Sequence, residues 1–331
     1  MKAFLKTIIL ILVFLVLGLF VYLFVGKSKP AESVEWGVSF SKRAADGFGI
    51  DWKEVFSAIL NDLGTKRIRI VAYWNEIEKE EGKYDFSDLD WQIEQIANKR
   101  VETIVVVGRR LPRWPECFEP DWIKSYPEEQ KQEKILALIS EIINRYKNEK
   151  SIRIWQVENE PFLRTFGECP PLDRDFFDKE IALVRSIDPI RPIMITESGE
   201  FSTWIGGAKR ADIIGTSLYR KIHGKLGYVQ YPIPPVFYQR KANLIKAFFG
   251  INDIIAIEVQ AEPWGDKPTQ DLTKEEQDIT MSFERFNDVV EYTRQAGFDK
   301  AYLWGAEWWY WLREKKGIND FVEVIKELKK E

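Results

Sequence analysis

Eight short runs rich in Val and Ile recur along the chain: VEWGVSF (34–40), RIRIVAY (67–73), TIVVVG (103–108), IRIWQVE (152–158), PIMIT (192–196), DIIGTSLY (212–219), DIIAIEV (253–259) and KAYLWGA (300–306). Amphipathic segments separate them. In DWKEVFSAILNDLG, Asp51 is placed to cap a helix with Glu54 three residues on, and Gly64 to end it. FSDLDWQIEQIAN, EEQKQEKILALISEIINRY, RDFFDKEIALVRSID, YQRKANLIKAFFG, one long segment over 274–296 and INDFVEVIKELKK have the same pattern. Strand and helix in alternation require a parallel sheet, and eight such units fit a (β/α)8 TIM barrel better than an open doubly wound sheet. No Gly-rich phosphate loop comes after the first run, which weighs against a dinucleotide-binding sheet. Nothing rich in Gly, Ser or Pro divides the alternating region, so residues 32–331 read as one barrel domain.

Ahead of the barrel, residues 7–25 (TIILILVFLVLGLFVYLFV) carry no charge and are long enough to cross a bilayer as a helix. The adjoining GKSKPAES has no A-x-A cleavage pattern, so an uncleaved transmembrane anchor is expected within residues 1–31, with the lipid bilayer as its partner. Lys2 and Lys6 on one side nearly balance Lys27 and Lys29 on the other. A single N-terminal anchor usually exports the domain behind it, which places the barrel outside the cytoplasm.

A net charge of −4 provides no basic field for nucleic acid. With one histidine, His223, and two cysteines, the chain is poor in metal ligands, and no metal or cofactor is expected. A Ser-His-Asp hydrolase would have to use His223, around which no nucleophile elbow is recognisable. Cys117 and Cys169 lie in loop-like sequence and either pair or remain thiols.

What remains is carboxylate chemistry, and IWQVENEPF (154–162) concentrates it. Alternation in a strand puts Trp155 and Val157 on one face and Gln156, Glu158 and Glu160 on the other. Barrel interiors hold packed Val, Ile and Leu, so inward polar residues belong at the C-terminal rim, where barrel active sites form. Pro161 ends the strand and lets Asn159 and Glu160 both face the cleft. IIAIEVQAEPW repeats the pattern on the seventh strand, with Ile255, Ile257, Val259 and Ala261 opposite Ala256, Glu258, Gln260 and Glu262. Glu160 and Glu258 lie roughly a hundred residues apart, as expected for strands four and seven of one barrel. Two carboxyl groups across a cleft are what glycosidic cleavage needs: one protonated to serve the leaving oxygen, the other ionised. Asn159-Glu160-Pro161 also has the form of an ordinary helix entry, a reading that the second glutamate weakens.

These motifs resemble glycoside hydrolase clan A, the retaining (β/α)8 enzymes that include cellulases, mannanases and β-galactosidases. The likeness spans residues 34–312 and includes WNEIEKEEGKYDFSDLD, similar to a second-loop segment of β-galactosidase-like members. It implies that Glu160 is the acid/base and Glu258 the nucleophile, with Glu262 as the alternative nucleophile or, with Gln260, a sugar-hydroxyl ligand. It further implies that Arg69 orients the nucleophile, Tyr219 hydrogen-bonds to it and Trp304 stacks under the sugar. Asn159 would hold the sugar 2-hydroxyl. The histidines that line many cellulase clefts are missing, His223 excepted, so a standard cellulase is not expected.

Thirteen tryptophans suit carbohydrate, whose apolar ring faces pack on indoles. Trp264 and Trp304, directly after site strands, are the expected platforms. Arg109, Arg110 and Arg113 come after strand three and either bind a charged sugar or pair with Glu116 and Glu119. Glu197 and Glu200, after strand five, lie near the rim. The expected function is cleavage of β-glycosidic bonds in an oligo- or polysaccharide; the alternatives are a membrane-tethered carbohydrate-binding protein without catalysis, or a transglycosylase.

Overall fold

A computed structural model describes residues 2–328. Residues 1 and 329–331, and with them the two ends of the expected segments and the tail of INDFVEVIKELKK, lie outside the described residues, as does the Lys2 side chain. The strands are β1 (Glu35–Ser39), β2 (Arg67–Val71), β3 (Glu102–Val107), β4 (Ile152–Val157), β5 (Ile193–Glu197), β6 (Ile213–Leu218), β7 (Lys221–Gly224), β8 (Gly227–Gln230), β9 (Asp253–Gln260) and β10 (Lys300–Trp304). Strands β1–β6, β9 and β10 close into a parallel barrel in the order β1-β10-β9-β6-β5-β4-β3-β2, which are the eight strands expected. The hairpin β7–β8 is an antiparallel excursion after β6 that periodicity did not reveal.

Helices cover the barrel where the amphipathic segments lie. Asp51 caps Trp52–Asn61 by accepting from the backbone N–H of Lys53 and Glu54, and EEQKQEKILALISEIINRY is helical throughout, Glu128–Tyr146. The segment expected as one helix over 274–296 is two, Lys274–Met281 and Phe283–Gln295. Ser282 adopts extended backbone and its hydroxyl accepts from Arg285 N, so a mid-helix serine acts here as a cap.

Inside the barrel, Ile104, Met194, Ile213, Ile255, Ile257 and Tyr302 form one packed layer, while Trp155, Val157, Ala256, Val259 and Leu303 pack outward under the helices. On β9 the expected alternation fails. Ala256 pairs with Thr216 and Ala301, but Glu258 already pairs with Ser217 and Val259 with Leu303, so β9 carries one extra residue, a β-bulge at Ile257. Ile255 and Ile257 therefore face the interior rather than sharing the outward face with Val259 and Ala261. Ser39 Oγ donates to the Ile257 carbonyl at 3.2 Å, supplying a partner for the displaced backbone.

The helix Lys2–Phe24 contains an apolar span, Phe4–Phe24, long enough to cross a membrane. Its C-terminal end rests on the barrel: the Phe24 ring lies 4.9 Å from Phe237, and Arg240 Nη1 donates to the Val25 carbonyl at 2.8 Å.

Candidate active site

The C-terminal ends of the strands gather the polar residues. Arg69, inward on β2 and fully buried, spreads its guanidinium over three side chains on and beyond β4 and on β9: Nε donates to Gln156 Oε1 at 2.9 Å, Nη1 to Glu258 Oε1 at 2.8 Å and Nη2 to Asn159 Oδ1 at 2.8 Å. This planar fork explains why an arginine stands there: a lysine has no such geometry. The second oxygen of Glu258 accepts from the Tyr219 hydroxyl at 3.3 Å.

Glu160 sits across the rim in a different environment. Its backbone N–H donates to Thr196 Oγ1 at 2.8 Å, and its Oε1 accepts from Ser217 Oγ at 2.9 Å. Ser217 is the register partner of Glu258, so the two carboxyls share one end of adjoining elements. No cation pairs with Glu160 among the described residues, and burial, followed by the charges of Glu258 and Glu116, pushes its carboxyl well above the usual range. Chain geometry makes this arrangement: Glu158 (φ 60°) and Glu160 (φ 43°) both adopt left-handed backbone, which breaks the alternation after Val157.

That break removes Glu158 from the inward column expected of it. Its carboxylate instead accepts from the backbone N–H of Arg109 at 2.7 Å and of Arg110 at 2.6 Å, and it lies against the buried carboxyl of Glu180 on helix Arg174–Ile187. A Cβ at Gly108 (φ 125°) would lie 2.3 Å from Glu158 Oε1, so only glycine admits this contact.

The three arginines after β3 pair with acids, the plainer of the two expectations. Arg109 meets Glu119 and Glu128, Arg110 meets Glu116, and Arg113 reaches across the barrel mouth to Glu262 and Glu307. Arg113 also lies over the Trp304 ring, 4.1 Å from its centroid, and Trp304 Nε1 donates to Glu262 Oε1 at 2.8 Å. That face of Trp304 is thus covered by a guanidinium rather than open to a sugar. Glu262 Oε2 is buried without a hydrogen-bond partner among the described residues. Gln260 is spent on the chain itself: its Oε1 accepts from Arg220 and Lys221 N–H and its Nε2 donates to the Lys221 carbonyl, holding the start of β7.

Trp264 is half-buried and meets the Tyr219 ring edge-on at 5.1 Å and Phe166 at 5.5 Å; Phe166 in turn meets the exposed Trp114. Trp74, Trp204, Trp308 and Trp309 are buried structural rings. Glu197 caps the short helix Ile205–Ala208 through Gly207 N–H, and Glu200 accepts from Tyr219 N–H and the Tyr238 hydroxyl. Both serve the scaffold. Cys117 and Cys169 form a disulfide that ties the loop after β3 to the loop after β4.

Glu116, Glu307, Ser217 and Thr196 were not singled out as site residues from sequence. Glu116 lies at the cleft because Arg113 (φ 87°) and Glu116 (φ 71°) turn the loop through left-handed backbone, a path that periodicity does not encode.

Residues 96–282, more than half of the chain, match the model of the glycosyl hydrolases family 2 TIM barrel domain. Over 166 residues the chain is 24% identical to β-galactosidase BgaA of Clostridium cellulovorans, covering 44% of this chain and 25% of the relative. A polyextremophilic β-galactosidase from the Antarctic haloarchaeon Halorubrum lacusprofundi superposes with a TM-score of 0.55 at 13% identity, over 82% of this chain and 52% of its own. A GH5_18 structure from Bifidobacterium longum subsp. infantis gives 0.62 at 13% identity, over 90% and 78%. The chain spans a quarter of the length of the first β-galactosidase and about half of the second. The structural likenesses show a common barrel fold.

Proposed function

This chain belongs to the family 2 glycosyl hydrolases through their TIM barrel domain, and on that premise we propose that it is a retaining β-glycosidase acting on an oligo- or polysaccharide. The observation that carries this reading is the contrast between two carboxyl groups at one rim. Glu258 is served by a guanidinium and a phenol, the surroundings of a carboxylate. Glu160 is buried with one serine donor and held toward its protonated form. A carboxyl held toward its acid form, close to one engaged by a cation, suits the pairing of an acid with a nucleophile.

Glu160 donates its proton to the glycosidic oxygen as Glu258 attacks the anomeric carbon, so the carbon–oxygen bond breaks while the glycosyl–Glu258 ester forms. Glu160, now a carboxylate, takes a proton from water, which attacks the same carbon and returns Glu258 to its free form. Arg69 and Tyr219 orient Glu258, and Asn159 holds the sugar 2-hydroxyl. The unpartnered Glu262 Oε2 favours a hydroxyl-binding role for Glu262 over a nucleophilic one, because its other oxygen is committed to Arg113 and Trp304. Trp264 is the better candidate for a sugar platform, Trp304 being covered by Arg113. The arginines, all paired, argue for a neutral sugar over a uronate.

The apolar helix and the Cys117–Cys169 disulfide support residues 1–31 as an anchor and linker and residues 32–331 as a barrel in an oxidising, extracytoplasmic compartment.

Aryl-glycoside and oligosaccharide panels with the wild type, Glu160→Gln and Glu258→Gln test the assignment. Glu160→Gln should lose about 10²–10⁴-fold on poor leaving groups and much less on activated aryl ones. Full activity in Glu258→Gln, or an anomerically inverted product, would overturn it.

A further inference from the structure

A third carboxyl group stands beside the proposed pair. Glu116, in the loop after β3, is 3% exposed, and its Oε1 accepts from Asn159 Nδ2 at 3.3 Å. Asn159 Oδ1 faces Arg69 Nη2, and since a guanidinium only donates, that atom must be the amide oxygen. The amide nitrogen is thereby turned toward Glu116. It carries two hydrogens, and among the described residues Glu116 is its hydrogen-bond acceptor, which leaves the other hydrogen for a substrate hydroxyl.

The other side of Glu116 is fixed by Arg110, whose Nε and Nη2 approach Oε2 at 2.8 and 2.6 Å. Arg110 goes on to the carbonyls of Leu163 and Phe166, in the loop after Glu160. A Cβ at Gly167 would lie 2.7 Å from Glu116 Oε2, so the two loops close on this carboxyl only because a glycine is there. The next residue, Cys117, bonds to Cys169. Glu116 is therefore held from both loops, with the carboxyls of Glu160 and Glu258 as its titratable neighbours toward the cleft.

We propose that Glu116 is a positioning residue that orients the Asn159 amide toward the sugar and places a negative charge beside Glu160. The inference rests on the roles proposed for Asn159 and Glu160. Burial, opposed by Arg110 and reinforced by Glu258, pushes the Glu116 carboxyl up to about 7, and its charge is among those that raise Glu160. Groups facing it are Arg110 from its own loop, Asn159 and Glu160 after β4, and Glu258 from β9.

The test compares Glu116→Gln and Glu116→Ala with Asn159→Ala and Glu160→Gln in the full-length protein, on an aryl glycoside and its 2-deoxy counterpart, across pH. Glu116→Ala should lose about tenfold in kcat/KM on the parent sugar, the worth of one hydrogen bond, and little on the 2-deoxy sugar. Glu116→Gln should move the alkaline limb of the pH profile to lower pH. Equal losses on both sugars with an unmoved limb would overturn the proposal and leave Glu116 a loop fastener. If Asn159→Ala also costs the same on both sugars, or Glu160→Gln keeps full rate, the roles on which it rests are at fault instead. Should Glu116→Ala fail to fold, the limb of the near-isosteric Glu116→Gln decides.

Discussion

Arg69 Nη1 and Glu258 Oε1 meet at 2.8 Å with both side chains nearly sealed from solvent, and the same guanidinium holds Gln156 and Asn159. Removing either partner strands a buried charge. Arg69→Met should lower stability by about 3–5 kcal/mol and reduce kcat, while Arg69→Met/Glu258→Gln should be less destabilised than Arg69→Met alone. Urea unfolding of the single and double variants checks this; an additive double variant would show that the pair is not coupled.

Ser217 Oγ is the side-chain donor to Glu160 and favours its ionised form. Ser217→Ala should therefore raise the Glu160 carboxyl further. A general acid works while protonated, so rate is lost as pH rises through its folded value, and the alkaline limb of kcat/KM should move to higher pH. This is opposite in direction to the shift expected for Glu116→Gln. An unchanged or lowered limb would mean that another group governs it.

Glu158 and Glu180 are buried against each other, and burial followed by the charge of Glu158 raises Glu180 well above its ordinary value. The folded state then holds a proton that the unfolded chain releases near pH 4–5, so stability falls as pH rises from the unfolded value toward the folded one. Glu180→Gln keeps a donor for Glu158 and removes the titration. Its melting temperature should depend less steeply on pH above the ordinary carboxylate range; parallel curves for both proteins would refute the account.

The Cys117–Cys169 bond closes a loop with a sequence separation of 52. Chain-entropy arguments give such a closure about 4 kcal/mol of stability. Cys117→Ser/Cys169→Ser should lose up to that amount and, because the bond also fastens the loop after β3 that carries Arg113 and Glu116, should lose activity before it unfolds. Chemical denaturation and assays of the double variant at temperatures well below its melting point separate the two effects.

Much of this was legible in the sequence because barrel strands and their covering helices have strong, different periods. The eight Val/Ile runs and the Asp51 cap report local preferences that packing reinforces. Glu160, Glu258, Arg69, Asn159 and Tyr219 could be grouped because polar side chains at strand ends converge once the strands close. The failures fall where the backbone leaves its period. Ser282 splits a continuous apolar stripe that reads as one helix. Glu158, expected to face inward, turns away because the backbone becomes left-handed at its own position. Trp304 was expected under a sugar, and Arg113, arriving from a loop nearly two hundred residues earlier, lies on it. Gln260 was expected to bind hydroxyls and is consumed by a hairpin that no alternation announced.

The extra residue in β9 acts as a phase shift within a single strand. Below Ile257 the barrel needs its inward positions filled with hydrocarbon; above it, the same strand must aim Glu258 at the cleft. A strand that kept strict alternation from Ile255 upward would point position 258 into the helical layer and strand the Arg69 guanidinium inside the barrel. Ironing out the kink with every residue kept would exchange the wet and dry faces of everything beyond it, and the cleft would lose a carboxylate without any change in the residues that surround it.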